Sequence, residues 1–116
     1  MLIGQSVLAP TAGAVYYSPW MPRQGNKFTA VIEVIADSAL AYDLTCDVQT
    51  KNAEAADSAV SATPIGTVTI TGPGATVAEA TASGCLEVVR YKFTATGTGG
   101  VRWIHFRSNP PIWQPN

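Results

Sequence analysis

The chain has 116 residues, of which 47% are hydrophobic and 13% charged, and its formal net charge is −1. That length is one domain's worth of chain. The charge leaves no basic excess to grip a nucleic-acid backbone, no apolar run approaches the ~20 residues that cross a bilayer, and the apolar content is too high for a disordered segment.

Thirteen threonines and seventeen alanines stand where Lys and Glu are usual. The resulting surface is neutral and weakly self-repelling. It suits close packing against other copies or another chain, and equally a plain small polar β-protein. The opening residues, MLIGQSVLAPTAGA, have an apolar stretch broken by Gly4, Gln5 and Ser6 and no basic residue ahead of it. They read as the start of a cytoplasmically made protein rather than as a secretory leader.

Residues 1–17 predict an extended arm or edge segment, with short runs at 6–9 and 14–17 separated by Pro10 and Gly13. Residues 18–26, SPWMPRQGN, form a loop by their two prolines and glycine. Residues 28–36 are mostly apolar and β-branched and predict a buried strand. After a turn at 37–39, residues 40–49 alternate cleanly: Leu40, Tyr42, Leu44, Cys46 and Val48 on one face, Ala41, Asp43, Thr45, Asp47 and Gln49 on the other. That period of two predicts a strand with one face in a core and one in water.

Residues 50–63 have helix-forming Ala and Glu but few large apolar anchors, so they read as a loop with at most one helical turn. Strands follow at 65–71, 76–82, 85–96 and 101–107, separated by turns at 71–74, 83–84 and 97–100. The Gly-rich turn predicts that the last two pair as a hairpin. In the strand 85–96, Glu87, Val89, Tyr91, Phe93 and Ala95 share a face; Arg90 and Lys92 lie on the other, and with Arg102 and Arg107 suggest a small basic patch. Residues 108–116 are a Pro-rich tail that cannot join a central strand. Seven to eight short strands with Gly/Pro turns predict one all-β domain, a single antiparallel β-sandwich or jelly roll.

The residues for chemistry are sparse. His105 is the one histidine and lies between Ile104 and Phe106, with no nucleophile turn anywhere in the chain. Cys46 and Cys85 are the two cysteines; they read as buried free thiols more readily than as a single bridge. No Cys/His spacing fits zinc, and Asp37, Asp43, Asp47 and Asp57 do not match a calcium loop. Glu79 and Glu87 as a glycosidase pair compete with ordinary surface roles. The expectation is a protein that is not an enzyme, with no catalytic residues, cofactor or metal.

The aromatics carry more. Tyr16, Tyr17 and Trp20 cluster near the start, beside Arg23, and Trp113 lies in the tail; Trp20 and Trp113 each stand among prolines. Aromatics on loops plug the end of a sandwich, anchor a protein interface, or stack on sugar rings. Tyr16, Tyr17, Trp20, Arg23 and Trp113 are therefore the candidate interface residues, and a lectin-like carbohydrate-binding module using Trp20 and Trp113 is the alternative.

The stretches SPWMPRQGNKFTAVIEV, DLTCDVQTKN and VRYKFTATGTGGVRWIHFRSNPPIWQPN together resemble small phage-type virion proteins, most strongly in VRYKFTATG and WIHFR. The resemblance implies a non-enzymatic decoration or cement protein, made in the host cytoplasm and carried on the virion. It implies contacts with the major capsid protein and with copies of itself, a trimer being favoured, and no nucleic-acid or membrane partner. It also implies an extended terminal arm that shares in those contacts.

Overall fold

The computed structural model describes residues 3–9, 14–37, 42–61, 63–71, 77–97, 102–108 and 111–114. The expected turns at 38–39, 72–74 and 98–100, and the first residues of the strand expected at 40–49, lie outside them. Among the described residues ten strands occur in chain order: β1 Ile3–Ala9, β2 Ala14–Tyr17, β3 Met21–Pro22, β4 Lys27–Asp37, β5 Tyr42–Lys51, β6 Gly66–Thr71, β7 Val77–Ser83, β8 Val88–Gly97, β9 Arg102–Ser108 and β10 Ile112–Gln114. One 3₁₀ turn, Asp57–Ala59, lies in the segment expected to be a loop with at most one helical turn.

The strands form two antiparallel sheets. In one, β4 has β7 along one side and β9 along the other, and β1 pairs with the far side of β9. In the other, β8 lies between β5 and β2, and β6 pairs with the far side of β5. Two of these strands are interrupted. β3 continues the line of β2 along β8, and β10 continues the line of β9 along β4. The sheets therefore read β7–β4–β9–β1 and β6–β5–β8–β2. Consecutive strands occupy corresponding places in opposite sheets: β1 with β2, β4 with β5, β6 with β7, β8 with β9. That is the winding of an eight-strand jelly roll.

The expected hairpin between the last two long strands is corrected by this winding. β8 and β9 are in different sheets, because β8 already has β5 on one side and β2 with β3 on the other, while β9 is flanked by β4 and β1. Gly97 ends its strand in one sheet and Arg102 begins the next strand in the other. The basic patch expected there divides accordingly, with Arg90 and Lys92 on one sheet and Arg102 and Arg107 on the other. β8 also begins at Val88, so Glu87 lies ahead of it and is exposed.

The core follows from the period of two. In β4, Phe28, Ala30, Ile32 and Val34 are buried, and in β5, Leu44, Cys46 and Val48. Val68 and Ile70 of β6, Val89, Tyr91 and Phe93 of β8, and Ile104 and Phe106 of β9 complete it. Each large apolar side chain contributes on the order of 1.5–3 kcal/mol when fully buried. A run of aromatic rings crosses between the sheets: Trp113 to Phe28 at 4.9 Å, Phe28 to Tyr91 at 6.4 Å, Tyr91 to Phe93 at 5.9 Å and Phe93 to Phe106 at 4.6 Å between centroids. The β6 and β7 edges close on each other, and at Gly66 an added Cβ would stand 2.9 Å from the Ala82 Cβ. Only glycine lets the two backbones approach that closely.

The N-terminal residues expected as an extended arm or edge segment form the edges of the two sheets: Ile3–Ala9 pairs along β9, and Ala14–Tyr17 pairs along β8. Within the Pro-rich tail, Ile112–Gln114 pairs with the first residues of β4. Pro111 and Pro115 flank this short strand, so none of its three ladder positions lacks an N–H.

Candidate functional site

The outer face of the β6–β5–β8–β2 sheet brings two aromatic rings together with two cations and a carboxylate. Tyr17 ends β2 opposite Lys92. The next residue, Ser18, donates its amide N–H to the Tyr91 carbonyl at 2.9 Å, and its Oγ accepts the Tyr91 amide N–H at 2.8 Å. Pairing resumes at Met21, opposite Val89. Two residues, Pro19 and Trp20, thus stand against one, Arg90. This is a β-bulge, which re-aims a side chain and interrupts an edge.

The bulge brings Trp20 to Arg90. The Arg90 Cζ lies 4.5 Å from the Trp20 ring centroid and 4.2 Å from that of Tyr17, so the guanidinium is engaged by two aromatic rings. Its Nε donates to Oε1 of Gln49, its register partner on β5, at 2.8 Å. Its Nη1 stands 3.5 Å from Asp57 Oδ2. Lys51 adds a second cation: its Nζ lies 4.9 Å from the Trp20 centroid and donates to Asp57 Oδ1 at 2.9 Å and to the Ala55 carbonyl at 2.7 Å.

Although they stand on an outer face, the Lys51 and Arg90 side chains are only 11% and 13% exposed. The 3₁₀ turn covers them and presents Asp57 to both. The hydrogen bond from Lys51 holds the Asp57 carboxyl below the ordinary carboxylate range, and the Lys51 and Arg90 charges add to it. The cluster is thus two cations, one carboxylate, a carboxamide and two rings, built to hold a loop against a sheet. Its open surface is Tyr17, 51% exposed, continued along β2 by Val15.

Beyond the cluster this face is threonine-rich. Thr45 stands opposite Thr69 on one side and Thr94 on the other, and Thr67 Oγ1 donates to Asp47 Oδ1 at 3.0 Å. Threonine is stiff at χ1, so such a face loses little side-chain entropy when it is covered.

The five residues expected at an interface are distributed unevenly. Tyr17 and Trp20 come together, whereas Tyr16, one residue out of phase, packs against the core. Trp113 also packs against the core, through Phe28, its register partner on β4. Arg23 binds back to its own chain: its Nη1 donates to the Cys85 carbonyl and its amide N–H to the Glu87 carbonyl, both at 3.0 Å. With Gln24, Gly25 and Asn26 it lines an open recess of about 530 Å³. Arg90, Lys51, Gln49 and Asp57 were not among the expected residues. The outward phase of Arg90 and Gln49 is legible, but the bulge that brings Trp20 to them is not.

Cys46 and Cys85 are both free and buried. Burial pushes the Cys46 thiol well above its ordinary range, with Asp47 adding to the shift, and burial raises Cys85 as well. The Tyr91 hydroxyl is raised by burial first and by Cys46 second. It lies in the core without a hydrogen bond of regular geometry; the buried Ser108 side chain is the polar group that acts on it. On the outer face of the other sheet, Arg107 pairs with Glu33 at 2.7 Å. No group of three His, Cys, Asp or Glu gathers among the described residues in a way that would hold a metal ion. No helix among them is long and apolar enough to cross a membrane. Compared with known protein families, curated proteins and solved structures, the chain matches none.

Proposed function

We propose that the protein is a non-enzymatic structural component of a virion, which decorates or cements a phage capsid through contacts with the major capsid protein and with copies of itself. The jelly-roll winding of the two sheets carries this reading, because that architecture recurs in capsid proteins. It also recurs in lectins, so the inference from fold is one of analogy. What favours assembly over sugar binding is the state of the tryptophans. Trp20 is engaged by Arg90 and Lys51, and Trp113 by Phe28, so neither ring stands out as a free stacking platform. The neutral, threonine-rich face with Tyr17 and Val15 at its rim suits packing against a lattice.

The test measures mass in solution and binding to capsids. Self-association and co-sedimentation with shells assembled from the major capsid protein are the expected results. A protein that stays monomeric, fails to sediment with shells and is retained on a polysaccharide column would overturn the reading in favour of a carbohydrate-binding module.

A further inference from the structure

We infer that β1 is a self-pairing edge: two copies of the chain join antiparallel through residues 3–9, and the β7–β4–β9–β1 sheet continues across a two-fold axis into the second copy. This rests on the self-association part of the proposed function and names the surface that performs it.

The sandwich has four lateral edges, and three are blunted. The β6 and β7 edges close on each other at Gly66 and Ala82. The β2–β3 edge is interrupted by the bulge at Pro19 and Trp20, and β3 ends on Pro22. Bulges and prolines are the devices that keep an edge from templating another strand. β1 has neither. Its seven residues, IGQSVLA, hold an unbroken register with β9 and contain no proline and no charge. Among the described residues, no strand lies on its other side.

In an antiparallel strand, half of the N–H and C=O groups point away from the first neighbour. Such a row of alternating donors and acceptors fits another strand. The composition selects which strand. An acidic or basic partner would find no charge on β1 to pair with, whereas a second β1 sets uncharged residues against uncharged ones and meets no like-charge cost. About a two-fold through Ser6, Gln5 stands opposite Val7 and Gly4 opposite Leu8 of the second copy. The positions in register with Ile104, Phe106 and Ser108 then stay on one face of the joined sheet. The same patch on both copies closes the contact into a finite pair. With three-fold contacts elsewhere on the surface it builds a hexamer, and alone it builds a dimer.

The test uses the full chain with Ser6→Lys and Ser6→Glu. Ser6 is the register partner of His105, which lies outside the core between buried Ile104 and Phe106. Sedimentation equilibrium is expected to show an even-numbered assembly for the wild type, at least tenfold weaker association for each variant alone, and recovery in their equimolar mixture at low salt. Amide exchange of residues 3–9 in the wild type is expected to slow as concentration rises. Unchanged association of the variants, a mixture no better than its components, or a trimer whose β1 amides exchange independently of concentration overturns the inference. So does a monomer whose β1 amides slow only on capsids, which gives the edge to another chain. A protein that binds capsids with β1 open leaves the virion reading standing without this one; a β1-paired dimer that never binds capsids does the reverse.

Discussion

Replacing Trp113 by alanine separates the two roles that a tail tryptophan can have. Its ring centroid lies 4.9 Å from that of Phe28, at 42° between planes, and the side chain is half-buried against the core. Removing a fully buried large aromatic costs ~3–5 kcal/mol, so a half-buried one loses roughly 2 kcal/mol. The ring pair with Phe28 adds about 0.5–1.5 kcal/mol. The total, about 2.5–3.5 kcal/mol, acts on a 116-residue chain. At ~2.1 cal/mol/K per residue it lowers Tm by roughly 10–14 °C. Trp113→Phe keeps a ring over Phe28 and is expected to recover more than half of that. The assay is thermal unfolding followed by circular dichroism, with the mass of each variant measured in parallel. A fall in Tm of less than ~3 °C together with loss of self-association would refute the packing role and return Trp113 to a partner surface.

Three further outcomes are expected. Truncating Arg90 to alanine removes a cation from two rings and the hydrogen bond to Gln49. It is expected to cost about 2–3 kcal/mol in denaturant unfolding, with Arg90→Lys recovering less than half because an ammonium lacks the planar stack and the fork of donors; full recovery by lysine would show that charge alone matters. In alkali, the unfolded chain ionises Cys46 and Tyr91 near their ordinary values of ~8.5 and ~10, while the fold holds both neutral by burial. The unfolded state then binds fewer protons, so stability falls as pH rises above ~8.5, by on the order of 1.4 kcal/mol per pH unit for each group engaged; urea midpoints that stay level from pH 8 to 11 would contradict this, and native Cys46 is expected to resist thiol reagents over the lower part of that range. At Gly25 an added Cβ would collide with the Gln114 carbonyl oxygen. Gly25→Ala is expected to displace β10, break the 3.1 Å bond from the Asn26 amide to Gln114 and cost about 1–3 kcal/mol, read as faster amide exchange at Asn26; unchanged exchange there would show that the loop yields without disturbing the tail.

The sequence by itself determines where the long core strands lie and which face of each is buried, because both follow from a local period of two; the short β3 and β10, in the expected loop and tail, have no such period. Leu44, Cys46 and Val48 face the core as their alternation requires, as do Val89, Tyr91 and Phe93, and the neighbouring Thr45, Asp47, Gln49 and Arg90 face outward. Which strands pair is decided elsewhere. β8 and β9 look like two arms of a hairpin, yet each already has neighbours on both sides drawn from distant parts of the chain, and each still buries its apolar row in the same core from an opposite sheet. The Arg90 cluster has the same origin. Tyr17, Trp20, Gln49, Lys51, Asp57 and Arg90 share no motif and no spacing. They meet because β2, β5 and β8 are adjacent in one sheet, because Ser18 binds the Tyr91 backbone, and because two residues of the resulting bulge stand opposite one. Local alternation is encoded over two or three residues and survives any arrangement of the sheets. Partnership depends on hydrogen bonds and packing between residues as far apart in the chain as Ile3 and Ser108, and only the assembled fold supplies those.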